Sequence, residues 1–461
     1  MPILKAYTLP HPPLAVPAVG RGQEKEISKT LDAMYEVAKE IAELKPETII
    51  YITPHSTIYS DHFHISPGSS ARGDLGRFNA TGERFETVYD EEMIKEISRV
   101  AEFNEISAGT QGERDPALDH GVTVPMWFVN NHYNDYRSIR IAQSAMAPSE
   151  HYLLGQIIAK AVEITGRNTV LIASSDLSHK LLDTGPYGFS SEGPKFDALI
   201  TDALSNGDFL SLLKIPDSVR EKAGECGYNS LMILAGCFDK QDVEAKLLSY
   251  EGPFGVGYAV ASFVSTGKNE AKNTLEQFVE YAIGAAAARR NTEDGHQNLA
   301  RQSLEHIIRT GGILPIPNGL SGELSKKRAG VFVSIQKNGR LRGCVGTIAP
   351  TTASIAEEII QNAVSAGLTD DRFDPVSVNE LPYLTYKVDV LSESEPIDSS
   401  EQLDVKRYGV IVTSGQKRGL LLPNLEGVDT VEAQIDIARK KAGISDFEPI
   451  KLERFEVIRH E

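Results

Sequence analysis

The chain is 461 residues long, 41% hydrophobic and 24% charged, with a net charge of −17 and three cysteines. That length exceeds one ordinary core of roughly 100–200 residues, so two or three domains are expected. The acidity argues against a nucleic-acid partner, which needs clustered basic side chains; no apolar run of about 18 residues marks a membrane span; and the few cysteines, behind an N-terminus with no basic-then-apolar leader pattern, point to the cytoplasm.

Residues 3–8 lean apolar and predict a short strand, which runs into Leu-Pro-His-Pro-Pro-Leu at 9–14, where three prolines forbid regular structure. Residues 24–44 carry Ile27, Leu31, Met34, Ala38, Ile41 and Leu44 at helical spacing, and Pro46 ends that helix. Thr-Ile-Ile-Tyr-Ile-Thr at 48–53 is a β-branched run that predicts a buried strand, stopping at Pro54-His55. Further strands are expected at 139–142, 169–173 and 259–264, with helices at 151–165 and 195–203 between them. Strands alternating with helices predict an α/β domain over residues 1–265.

Residues 266–274 are polar without an apolar period and predict a linker. Beyond it, a helix is expected at 275–290, strands at 330–336, 383–391 and 409–413, and helices at 354–366 and 431–442. That mixture predicts a second, α+β domain over residues 275–461.

His11, His55 and His179 each fall at or just after a predicted strand end. Ligand sites of open α/β sheets gather at the carboxyl ends of the strands, and imidazole is the commonest metal ligand. Two histidines and a carboxylate on one face of a metal leave positions for substrate. Gly-Glu-Cys-Gly at 224–227 offers Glu225 as the third donor and Cys226 as its competitor, since thiolate also binds metals. The polar neighbours of His179, in Ser-Ser-Asp-Leu-Ser-His, suit a general acid/base. His120, in Leu-Asp-His-Gly, is a further candidate, whereas His62, His64 and His132 read as structural.

Leu-Pro-His-Pro-Pro-Leu, Thr-Pro-His-Ser with the downstream Phe-His-Ile-Ser-Pro-Gly, Leu-Asp-His-Gly and Ser-Ser-Asp-Leu-Ser-His occur in this order. Together they resemble the class III extradiol ring-cleavage dioxygenases of the LigB type and their Memo relatives. The resemblance implies a central sheet with flanking helices and Fe(II) held by His11, His55 and Glu225, another divalent metal or copper being the alternative. It also implies His179 as acid/base, His120 near the substrate, and oxidation of a catechol-like or other small aromatic compound with O2. Memo-type proteins use a Cys-Gly motif instead, which Cys226-Gly227 matches, so both third donors stand. The Memo side implies a different function, a metal-binding adaptor without ring cleavage.

Arg340-Leu-Arg-Gly-Cys-Val-Gly-Thr at 340–347 is the outstanding stretch of the second half. Its glycines flank Cys344 and suggest a tight backbone path, and Arg340 and Arg342 would favour a thiolate at Cys344. The competing reading is a small residue buried in a closely packed turn. With Asp-Asp-Arg-Phe-Asp-Pro-Val at 370–376 and Arg-Gly-Leu-Leu-Leu-Pro at 418–423, it resembles the AMMECR-type domain. Fusion of the two halves resembles the AmmeMemoRadiSam architecture, which implies a separate radical-SAM protein as partner; a homo-oligomer is also expected.

Overall fold

The computed structural model describes residues 3–337, 340–425 and 427–461. The chain divides into two compact units, Met1–Val279 and Glu280–Glu461.

The first unit is built on a six-stranded sheet with the spatial order Arg137–Ala142, Thr48–Thr53, Thr169–Ser174, Ile3–Leu9, Tyr258–Lys268 and Gln241–Glu251. The first four strands run parallel, and the last two are antiparallel additions at one edge. Every residue of Thr48–Thr53 and Thr169–Ser174 is buried. Their central residues form continuous runs without polar alternation because both sheet faces are covered by helices. The helix Ser28–Leu44 packs with His120–Asn130, and Pro148–Thr165 packs with Tyr228–Gly236. All these elements share one apolar core.

The second unit carries a seven-stranded antiparallel sheet. Gly295–Thr310 and Ile355–Leu368 cover Val331, Val333 and Ile335, while Val431–Lys441 contributes Ala438 to a separate small core with Val410, Val412 and Leu421. No described helix is long and apolar enough to cross a membrane.

Two expectations differ from the structure, at residues 266–274 and 340–346. Residues 266–274, expected as a linker, instead continue the strand Tyr258–Lys268, whose last residues pair with Gln241 and Asp242, and then form a 3-10 turn at Glu270–Lys272. Polar side chains there reflect an edge hairpin rather than an untethered segment. The division falls within the helix Thr274–Arg290. The apolar run after His120 is a helix with Pro125 inside it, because packing on the sheet outweighs the low helix propensity of its valines. Arg340–Gly346 is a strand, not a turn. Its glycines serve close approach: a Cβ on Gly343 would meet the Ala366 carbonyl oxygen at 1.9 Å, and one on Gly346 would meet the Phe332 ring at 2.2 Å.

Candidate metal centre

The parallel register places Leu9 beside Ser174, and Ile52 beside Ala173. Two residues beyond Leu9 comes His11, and two beyond Thr53 comes His55, so the two histidines leave the ends of the two strands that flank Thr169–Ser174, on the same edge of the sheet. Flanking prolines stop both strands there by removing ladder donors. Ser174 Oγ lies 2.8 Å from His11 Nδ1, and the His11 backbone N–H donates to Asp176 Oδ1 at 2.8 Å. With Nδ1 so engaged, Nε2 of His11 faces Nε2 of His55 at 2.9 Å and the Cys226 Sγ at 3.5 Å. One donor atom from each of His11, His55 and Cys226 lies within 4.8 Å of the others.

Cys226 reaches this point because the turn that carries it is pressed against the sheet. A Cβ on Gly227 would stand 2.2 Å from the Cβ of Ser175. Gln143 Nε2 donates to the Cys226 carbonyl at 3.1 Å and to Ser230 Oγ at 2.7 Å. Glu225, expected as the third donor, is not in the group. Its Oε2 accepts the backbone N–H of Tyr228 at 2.7 Å, capping the helix Tyr228–Gly236, and its Oε1 lies 3.8 Å from the Arg220 guanidinium. A carboxylate at a helix N-terminus is stabilised by the unsatisfied N–H groups and the dipole, which draws Glu225 away from the histidines.

His120 is the first residue of its helix and stacks on His55, with centroids 4.1 Å apart and planes at 22°. Asp119, just before it, accepts the Thr53 hydroxyl at 2.6 Å. His179 donates its backbone N–H to Ala223 O at 3.2 Å, and its ring tilts against Tyr187 at 5.1 Å. Its Nε2 is buried and meets no hydrogen-bond partner among the described residues. His62 and His64 instead bond to Ser107 Oγ at 3.0 Å and Gln111 O at 2.9 Å, and His132 packs on Tyr35.

The electrostatics favour neutral imidazoles. Burial, then the neighbouring His55, His120 and His179, hold His11 well below the usual range. Burial, with His120 next, brings His55 to about 4, and burial with Arg77 brings His120 to about 4. Burial lowers His179 as well. The Cys226 thiol is pushed well up by burial and by Asp176 and Glu225, and burial pushes Asp176 up to about 7. Neutral imidazole is the ligand form. Two of them converging with a thiol make a donor set suited to a metal that tolerates sulfur, and a bound cation would itself displace the thiol proton.

Several positioning residues had only a partial signal in the sequence. Ser174, Asp176 and Asp119 sit within the histidine-bearing motifs but give no sign there of gripping His11 or Thr53. Gln143 has no motif at all.

In the second unit, Cys344 Sγ accepts the Ser334 hydroxyl at 3.2 Å, while its backbone N–H donates to Asp370 Oδ2 at 2.8 Å. Arg342 donates to both oxygens of Glu380 at 3.0 Å. The Arg372 guanidinium donates to the Cys344 carbonyl at 3.1 Å.

Residues 5–261 match the family model described as the catalytic LigB subunit of aromatic ring-opening dioxygenase, and residues 297–460 match that of AMMECR1. The protein CA_C1420 of Clostridium acetobutylicum is 40% identical, with 98% of each chain covered. A protein of Thermotoga maritima is 46% identical over 34% of this chain and 91% of its own. Among solved structures, PH0010 of Pyrococcus horikoshii is 29% identical, covering 36% of this chain and 88% of its own at a TM-score of 0.33.

Proposed function

Because the chain belongs to the LigB family through residues 5–261, with an AMMECR1-family domain fused behind it, we propose that the first unit is a metal-dependent oxidoreductase acting on a small aromatic substrate with O2. The carrying observation is the convergence of His11, His55 and Cys226 within 4.8 Å at the carboxyl ends of parallel strands. Three protein donors leave coordination positions for other ligands, and a bound iron(II) would supply electron transfer to oxygen. His11 is held by Ser174 and Asp176, so its ring presents Nε2 without rotation. His120, stacked on His55, and the exposed Tyr187, tilted against His179, offer aromatic faces suited to a planar substrate. His179, neutral and with a bare Nε2, accepts a substrate hydroxyl proton and returns it to the product.

Cys226 in place of a carboxylate favours a second reading, a metal-holding adaptor that serves a radical-SAM partner without cleaving rings. The deciding experiment loads anaerobically purified full chain with Fe(II) and follows oxygen uptake with a panel of catechols. Uptake matched by ring-opened product supports the oxidoreductase; a metal-loaded chain that consumes no oxygen with any of them overturns it in favour of the adaptor.

A further inference from the structure

Far along the chain from the histidine motifs, three other donors meet in the second unit. Asp294 is the N-cap of the helix Gly295–Thr310, its Oδ1 accepting the backbone N–H groups of His296 at 2.9 Å and Gln297 at 3.1 Å. That cap leaves Oδ2 free for other work. His460 ends the strand Lys451–His460, paired opposite Val388, and its Nδ1 contacts Asp294 Oδ2. His296, only 7% exposed, brings its own Nδ1 to 3.7 Å from the same oxygen. The two imidazoles lie nearly parallel, 3.7 Å between centroids and 19° between planes, so their like nitrogens face one carboxylate.

This arrangement is more than a cap. A capping aspartate needs one oxygen and no histidine. Burying a second imidazole flat against the first gains little unless both are neutral, and His296 is held below the usual range by burial and by His460. Its Nε2 meets no hydrogen-bond partner among the described residues. The Glu323 carboxylate adds a second negative charge that His296 feels. One ligand atom from each of the three residues lies within 4.8 Å of the others. An ion about 2.0–2.2 Å from each donor spans at most about 4.4 Å, so binding requires the donors to draw in and the stacked rings to splay until both nitrogens point at it.

We propose that Asp294, His296 and His460 form a second metal site, taking one divalent ion of the zinc, cobalt or nickel type through two imidazole nitrogens and one carboxylate oxygen. Nitrogen and oxygen donors without sulfur distinguish it from the His11–His55–Cys226 centre, and it holds whatever that centre does. Three protein donors leave the remaining positions to water. The competing occupant is a proton, with His460 and Asp294 joined only by a hydrogen bond.

Cobalt(II) separates the two sites, because only the Cys226 centre can show thiolate-to-metal charge transfer. In the full chain carrying His55→Ala and Cys226→Ser, Co(II) titration is expected to retain one equivalent, with d–d absorption and no charge-transfer band. Adding Asp294→Asn, which keeps the capping oxygen, should weaken that equivalent by about tenfold or more, and adding His460→Gln should abolish it. If the folded double variant, checked by its melting curve, binds no cobalt, the triad is a proton-bridged cap and the proposal fails. It fails equally if the equivalent survives His460→Gln and His296→Gln together.

Discussion

Gly227 lies against Ser175 so closely that a Cβ on the glycine would stand 2.2 Å from the serine Cβ. The backbone of Gly227 is in the ordinary right-handed region, so the requirement is space rather than dihedral freedom. This contact presses the Cys226 turn onto the strand end that also supplies Ser174 to His11. Gly227→Ala is therefore expected to push Cys226 away from the two histidines. Stability should fall by about 1–3 kcal/mol, the usual cost of overpacking. Metal affinity should fall further than stability, measured by competition with a chromophoric chelator. An alanine variant with unchanged affinity would mean that Cys226 is not held to the metal by this contact.

Glu225 and Cys226 are adjacent in sequence but meet different partners, Cys226 Sγ the His11 ring and Glu225 Oε2 the Tyr228 N–H. Cys226→Ser should remove most of the metal affinity, and with it the thiolate-to-cobalt absorption, while leaving the melting curve of the metal-free protein nearly unchanged. Glu225→Ala should do the reverse, keeping the metal and losing about 0.5–2 kcal/mol through the cap on Tyr228. Glu225→Gln retains an acceptor for that N–H and should restore most of the loss.

The convergence of His11 and His55 is legible in the sequence because strand periodicity and flanking prolines locate strand ends, and a parallel sheet brings such ends together. The β-branched run at 48–53 coincides with the observed strand Thr48–Thr53. The choice between Glu225 and Cys226 was not legible. It depends on Gly227 meeting Ser175, a tertiary contact, and on which residue the N-terminus of Tyr228–Gly236 attracts. The strand at Arg340–Gly346 was hidden for a related reason. Glycines that suggest only a tight path locally are there because Ala366 and Phe332 leave no room for a Cβ. The Asp294–His296–His460 cluster joins the start of a helix to the end of the last strand, a separation that no local pattern bridges.

His179 is the group assigned to move a proton, and it stands outside the His11–His55–Cys226 donor group. His179→Ala should retain bound metal and lower turnover by about 10²–10⁴-fold, the range for removing a general acid/base. Metal analysis beside the kinetic assay separates the two effects; loss of metal in this variant would make His179 a ligand instead.

Asp197 sets a pH dependence that can be read in the metal-free protein. It is buried, accepts the Ser178 N–H at 2.8 Å and the Tyr250 hydroxyl at 2.7 Å, and burial raises it to about 7. Its unfolded value is near 3.9, so between about 4 and 7 the folded chain holds a proton that the unfolded chain has released. Its contribution is present below the unfolded value and is lost as pH rises through 7. The histidines of the metal centre, depressed on folding, work in the opposite sense as pH falls from about 6.5 towards 4. Asp197→Asn isolates the first effect. Relative to the variant, the wild type should lose up to about 1.4 kcal/mol per pH unit between pH 5 and 7. Trp127, the single tryptophan, is half-buried against this unit's core and reports the unfolding by fluorescence. Parallel pH profiles for the two proteins would remove Asp197 as the source.

In the second unit the corresponding buried charge is Glu358, only 1% exposed. Burial would raise it, yet the hydroxyls of Thr347, Thr351 and Thr352 and the Thr351 N–H hold it below the usual carboxylate range. Oε1 accepts from Thr347 at 2.6 Å and Thr351 at 2.7 Å, and Oε2 accepts from the Thr352 hydroxyl at 2.7 Å and from the N–H groups of Thr351 and Thr352 at 3.0 Å. One side chain thus fixes the loop that leaves the Leu-Arg-Gly-Cys-Val-Gly-Thr strand. Glu358→Ala removes the acceptor from all five donors, and each one left buried costs about 1–3 kcal/mol where water cannot enter. With partial hydration, a loss of about 3 kcal/mol or more is expected. Glu358→Gln keeps the shape but introduces a donor among donors, so it should recover only part. Because the carboxylate is depressed on folding, its contribution is present above the unfolded value near 4.3 and fades as the medium becomes more acidic. Calorimetry should show the transition of this unit shifting down while the Trp127 transition of the other stays in place. Equal shifts in both would mean that the two units unfold as one, and would assign the effect of Glu358 to the whole chain.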